Sequence, residues 1–335
     1  MLAAVAGLVV VTLRSRVAIA VATPLSEGTA AGLAEWASDV ATGRGLKPRI
    51  VAPDADPDVV FVDPSAPGFV DALPLAYDPF GRLVDRAASV AAGTGLPESW
   101  PAVASSARSF RAAGVWPVVL AGADDLVLCA FALAVVDARG GDAVATLAAM
   151  VSGSTVAESG ALVHVALREA LAEIAAWERT GVLPVNWDGW DPDAVAEALR
   201  TGTAANALCF WSDAGSLRDR SGNAGLRFVR LFDAADRTDY TTVAGELRVG
   251  ATGGPDAPRR YTALAEALAG PGSAAALAAL PEPLVPAADE PADRETREAR
   301  RSCDLAIRRP ALPLAAGAAL RTFAESARAE LRRLR

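Results

Sequence analysis

Histidine, lysine and cysteine are nearly missing from this 335-residue chain. His164 is the one histidine, so a two-His metal site cannot be built. A Ser-His-Asp triad would have to use that same residue, and no G-x-S-x-G elbow is present. His164 falls inside a helical pattern over 160–179 and reads as structural. The three cysteines, Cys129, Cys209 and Cys303, are far apart and odd in number, with no C-x-x-C pair. That excludes zinc ribbons and thioredoxin-type redox sites. Cys129 and Cys209 lie in apolar runs and read as small buried hydrophobes. Lys47 stands alone among the basic residues, which are otherwise arginine, a coding bias toward GC-rich codons. No basic excess exists either: the formal charge is -8, which excludes a protein that grips a nucleic-acid backbone. Neither Gly43-Arg44-Gly45 nor the run Gly250-Ala251-Thr252-Gly253-Gly254 completes a dinucleotide or Walker pattern. No cofactor or metal is expected.

What is present is apolar. The chain is 52% hydrophobic and 21% charged, which excludes a disordered polymer. Its length suits two domains of ordinary size or one large one. Residues 1–13, MLAAVAGLVVVTL, lack charge and precede Arg14 and Arg16. They are too short to span a bilayer and resemble the apolar core of an export signal or a short anchor. The alternative is a first buried strand or helix. Pro, Gly or charge interrupts every later apolar run.

Strand and helix patterns alternate from there on. VAIAVAT (17–23) predicts a buried strand ending at Pro24, and Ser26 a helix cap for 28–42 with Glu27 in its first turn. Strands are predicted at 48–53 and 58–63, helices at 81–92 and 99–113, a strand at 115–122 and a long apolar helix over 125–138. The clearest amphipathic helix, 160–179, stops before Gly181, and LPVNWDGWDPD (183–193) is a loop by composition. A helix at 192–200, a strand at 206–211 and strands at 226–232 and 241–250 follow. Helices are predicted at 258–269, 271–280 and 314–334, with a Pro-rich connector at 281–291. There is no internal repeat. This alternation is the signature of an α/β fold with sheets covered on both faces.

Several segments, in order, carry a resemblance. PDVVFVDP (57–64) and ALPLAYDPFGRLVDR (72–86) resemble a P-D-V-V strand and a crossover strand of the pattern P-Y-x-x-D-P. PESWPAVASSARSFRAAG (97–114) resembles a P-x-T-W helix, and RAAGVWPVVLAGADD (111–125) an A-A-G-x-x-P-x-x-L-G-x-x-D segment. Residues 167–217 resemble a helix, a G-Y-x-P-x-N-x-x-G loop, a short helix, a G-x-A-A turn and a strand ending near Trp. Together they resemble the family 1 extracellular solute-binding proteins, the carbohydrate-binding components of ABC importers, over about nine-tenths of the chain. Two departures stand out. Only SAPGFVDA separates Pro64 from Leu73, shorter than the family's connection, and Val84-Asp85-Arg86 replaces a Y-N-K motif.

The resemblance implies a periplasmic binding protein-like II fold, two α/β lobes joined by a multi-strand hinge with a central cleft. Its crossings would fall near Tyr77–Asp78, near 228–241 and near 281–291. Lobe 1 would then be 17–76 plus 230–285, shortened, and lobe 2 78–228 plus 290–335, after a signal or anchor at 1–16. It also implies a monomer outside the cytoplasm that closes on a sugar or oligosaccharide and delivers it to an ABC permease, without covalent chemistry and with no nucleic-acid partner.

Sugar binding needs flat aromatic faces for a pyranose ring and carboxylates to accept from its hydroxyls. Trp211 matches the family's cleft tryptophan, with a core tryptophan as the alternative. Asp78 follows Tyr77 in the crossover strand, where a carboxylate accepts from hydroxyls or forms a turn before Pro79. Asp63 precedes Pro64 with the same two readings. Asp124 and Asp125 open a helix that one of them would cap. Glu246 interrupts an apolar strand, so it faces a cleft or a sheet edge. Glu27 sits at a helix start, a common ligand-facing corner. Trp187 and Trp190 read as packing residues. Two alternatives stay open: a glycosidase with two carboxyls about 5–10 Å apart, and a paralogue that keeps the fold but serves as sensor or scaffold.

Overall fold

The computed structural model describes residues 16–23, 25–62, 72–232, 243–253, 257–288, 293–304, 311–313 and 317–335. The chain divides into two compact units. Unit 1 comprises residues 1–77, 246–291 and 313–315; unit 2 comprises 78–245, 292–312 and 316–335. Asp63 and the apolar segment 1–13 lie outside the described residues.

In unit 1, β1 (Arg16–Val21) pairs in parallel with β2 (Lys47–Ile50) and β3 (Val59–Val62). Between β1 and β2 runs α1 (Glu27–Gly43). Its start is set by Ser26, whose hydroxyl accepts from the Thr29 N–H. Leu33, Ala37 and Ala41 repeat every four residues along its buried stripe. β3 pairs antiparallel with β8 (Ala244–Ala251), from Val59 opposite Ala251 to Val62 opposite Arg248. The core gathers Ile19, Phe61, Leu75, Leu247, Leu264 and Leu277. The all-apolar run VVFV of β3 is buried throughout, as a strand covered on both faces must be.

Unit 2 begins within β4 (Leu73–Val84), whose later residues pair antiparallel with β6 (Asn206–Phe210) and β7 (Arg227–Val229). β6 runs parallel to β5 (Val119–Leu120). The helices are α2 (Arg86–Ala91), α3 (Trp100–Ala112), α4 (Asp125–Ala138), α5 (Ala143–Val151), α6 (Val165–Thr180), α7 (Pro192–Arg200) and α8 (Trp211–Ser221). Helix α4 is buried from Val127 to Asp137, which is why its sequence is apolar all round. It packs among α5, α6 and the last helix. Trp100 stacks on Trp177 at 4.6 Å, with Phe131 and Phe232 beside them. Unit 1 also holds α9 (Arg259–Ala269), α10 (Ser273–Ala278) and β9 (Val285–Pro286). Unit 2 closes with α11 (Arg294–Asp304), β10 (Ala311–Leu312) and α12 (Ala318–Leu334).

Some expectations change. Residues 81–84 are strand, not the start of a helix: Gly81–Val84 continue the ladder with β6, and Asp85 then caps α2 through the Ala88 N–H. Tertiary pairing overrides the local helical pattern there. The strand expected over 115–122 shrinks to Val119–Leu120, because Pro117 has no N–H to donate. The helix expected from 160 starts at Val165, and Gly181, at φ 78°, ends it in the left-handed conformation. Helices α5, α8 and α11 were not anticipated.

Candidate functional site

Trp211 and Asp78 are the two expected site residues that the structure brings together in one place. Trp211 is not the last residue of a strand but the first of α8, directly after β6. Phe210, before it, supplies no side-chain cap. The cap comes instead from β4: Asp78 Oδ1 accepts from the Ser212 backbone N–H at 2.9 Å, and Oδ2 accepts from the Ser212 hydroxyl at 2.7 Å. A carboxylate at this end of a helix is also favoured by the helix dipole.

Asp78 is 6% exposed, so its charge is largely desolvated and depends on these bonds. Burial pushes the nearby Cys209 thiol well above its ordinary value, and the negative charges of Asp213 and Asp78 push it further. Trp211 is half-buried. Its ring and that of Phe228 make a T-shaped contact, 5.2 Å between centroids and 87° between planes. The indole Nε1 is enclosed and meets no acceptor among the described residues. Gly81 completes the packing: a Cβ there would fall 2.6 Å from the Phe228 ring and 2.7 Å from the Val229 carbonyl oxygen. The backbone of β4 therefore presses against β7, which holds Phe228 under Trp211.

The other expected residues stand elsewhere. Asp124 caps α4, its Oδ1 accepting from the Leu126 and Val127 N–H groups at 2.7 and 3.0 Å. Asp125 pairs with Arg328 at 2.7 Å, and Arg328 also donates to the carbonyls of Gly122 and Ala123. In unit 1, Tyr77 lies buried in β4 opposite Val285. Glu246, 3% exposed, pairs with Arg248 at 2.8 Å, two residues on along β8. Glu27 is exposed in the first turn of α1. Trp187 is fully buried, with its ring 5.5 Å from Phe131, so its packing role is observed directly.

Ser212 and Phe228 were not anticipated. Nothing in the local sequence marks Ser212 as capped, because its acceptor lies 134 residues away. Among the described residues no three His, Cys, Asp or Glu side chains are grouped to hold a metal, and no helix is long and apolar enough to cross a membrane. The arrangement sets a half-buried tryptophan beside a hydrogen-bonded carboxylate, residue types suited to stacking and polar recognition.

Neither a family model nor a curated protein sequence matches this chain. Solved structures do, across nearly its whole length. The bacterial solute receptor AcbH, described as exclusive for β-D-galactopyranose, superposes with a TM-score of 0.66 at 11% identity, over 95% of this chain and 98% of its own. A chitin oligosaccharide binding protein does so at 0.63 and 14%, over 95% and 94%. A probable secreted solute-binding lipoprotein from Streptomyces coelicolor matches at 0.60 and 15%, over 96% and 98%. The chain has the periplasmic binding protein-like fold of these solute-binding proteins, the fold class its sequence motifs suggested.

Proposed function

We propose that this protein is an extracytoplasmic solute-binding protein that captures a carbohydrate for an ABC importer, and that it is a binding protein with no catalytic step. The observation that carries this is the match over 94–98% of the length of solute-binding proteins, two of them named for β-D-galactopyranose and chitin oligosaccharide and the third a probable secreted solute-binding lipoprotein. Trp211 is the proposed stacking platform and Asp78 the proposed polar anchor of its surroundings. Tyr77, Asp63, Asp124, Asp125, Glu246 and Glu27 enter the proposal as further ligand contacts. The permease partner, the monomeric state and an N-terminal export signal or anchor belong to it as well. Hinge closure is read out as a smaller radius of gyration in small-angle X-ray scattering when sugar is added.

The test is a thermal-shift screen against mono- and oligosaccharides, with amino acids and polyamines as controls. Ligand at 100 times its dissociation constant adds about 2.7 kcal/mol. That is a rise of roughly 5–11 °C at about 2–4 °C per kcal/mol. One sugar class should shift the protein, and Trp211→Ala should abolish the shift while Trp190→Phe preserves it. A shift with amino acids alone, or a sugar shift that survives Trp211→Ala, refutes the function or the platform respectively.

A further inference from the structure

Unit 2 contains a groove of about 640 Å³ lined by the end of β4, the start of α2, β7 and the first turns of α11. Its volume lies within the roughly 300–1,000 Å³ of small-molecule sites. Leu96 and Val229 give it half-buried apolar walls. Three carboxylates border it, and each is already engaged. Asp293 accepts from the Thr296 N–H at 2.8 Å, capping α11. Glu295 is bound to Arg218 and to the Phe228 N–H. Glu298 pairs with Arg294 at 3.2 Å.

Two guanidinium groups on the same groove have no such partner among the described residues. Arg227 donates only to the carbonyls of Ala224 and Leu226, both at 3.2 Å. Among the described residues the Arg86 side chain makes no hydrogen bond or ion pair. The register brings them to one end: Arg227 lies opposite Val84, two residues before Arg86. Two of the acids are ion-paired and the third caps a helix, while Arg86 and Arg227 have no carboxylate partner among the described residues; this gives the groove a preference for an anion, which Arg can hold bidentately.

We infer that this groove is a second ligand site for a small organic anion. Arg86 and Arg227 bind its carboxylate or phosphate head, and Leu96 and Val229 cover an apolar or aromatic body. The inference stands apart from the carbohydrate proposal. The full chain is titrated by calorimetry with phenylacetate and with phenyl phosphate, against 2-phenylethanol and phenethylamine. Either anion should bind at least tenfold more tightly than the neutral and cationic analogues, and which of the two binds identifies the head group. In Arg86→Gln/Arg227→Gln the affinity should fall at least tenfold, with circular dichroism and Tm unchanged. The charge-matched Arg44→Gln/Arg49→Gln variant should bind as wild type. No saturable binding at millimolar anion, equal binding of 2-phenylethanol, or wild-type affinity in Arg86→Gln/Arg227→Gln overturns it. Because both arginines are exposed, their replacement leaves the core packing intact.

Discussion

Asp78 and Ser212 are 134 residues apart and joined by two hydrogen bonds, one to the serine N–H and one to its hydroxyl. The pair fastens the start of α8, and so Trp211, to β4. Asp78→Ala leaves two donors unmet in a buried site and removes a helix cap, a loss of about 2–4 kcal/mol. Calorimetry should show a Tm fall of roughly 4–16 °C. Asp78→Asn retains an oxygen for the Ser212 N–H and should fall by less. Ser212→Ala removes only the hydroxyl bond, about 1 kcal/mol. A Tm within 1 °C of wild type for Asp78→Ala would contradict this role.

Gly81→Ala places a methyl group against the Phe228 ring and the Val229 carbonyl, both closer than 3 Å. Overpacking of this kind costs about 1–3 kcal/mol. Phe228 supports the Trp211 indole, so its displacement should also change the tryptophan near-ultraviolet circular dichroism and weaken any sugar binding assigned to Trp211. Unchanged sugar affinity alongside a lowered Tm would separate packing from recognition.

Arg328 ties α12 to the start of α4 by one ion pair and by bonds to two carbonyls. Arg328→Met keeps much of the apolar stem but strands those acceptors. A loss of about 1.5–3 kcal/mol is expected from breaking charged hydrogen bonds. Asp125→Asn should lose less, since the carbonyl bonds remain. Urea unfolding followed by circular dichroism distinguishes the two. Asp125→Asn titrated with sugar tests the proposed ligand contact independently of stability.

All three cysteines are buried and stand outside any disulfide. Burial, and then the charge of Asp125, holds the Cys129 thiol above its ordinary 9.0; burial, Asp213 and Asp78 do so for Cys209. The thiolate is the reactive form, so a chromogenic disulfide reagent at pH 8 should find no fast-reacting thiol in the native protein and three after denaturation. The sign of the pH effect follows. Above the unfolded thiol value the unfolded chain releases these protons while the native chain keeps them, so stability falls as pH rises past about 9. A native burst of one thiol or more would place that cysteine in an open pocket.

Three helices whose apolar period and cap share one stretch of chain were legible. Ser26 before α1, Asp124 before α4 and Asp191 before α7 each cap their own helix, and all three helices fall where the pattern puts them. The alternating order of strands and helices and a few ordered motifs sufficed to identify the fold class. Trp211 was singled out by resemblance, not by its surroundings.

Helices α5 and α11 went unread although Asp142 and Asp293 cap them locally, but α8, the end of β4 and the surroundings of Trp211 depended on partners distant in sequence. The segment WSDAGSLRDRS is polar and carries no cap of its own, so α8 exists in view of Asp78, which only folding brings to it. Gly81–Val84 has a helix-like pattern and becomes strand because β6 supplies a ladder. The sequence by itself determined most of the local elements and the class of fold, since helix periodicity and capping act over a few residues. Tertiary structure alone decided that Asp78 caps α8, that Phe228 backs Trp211, and that Arg86 and Arg227 share a groove, because strand pairing and desolvated hydrogen bonds join residues whose separation along the chain no local pattern encodes.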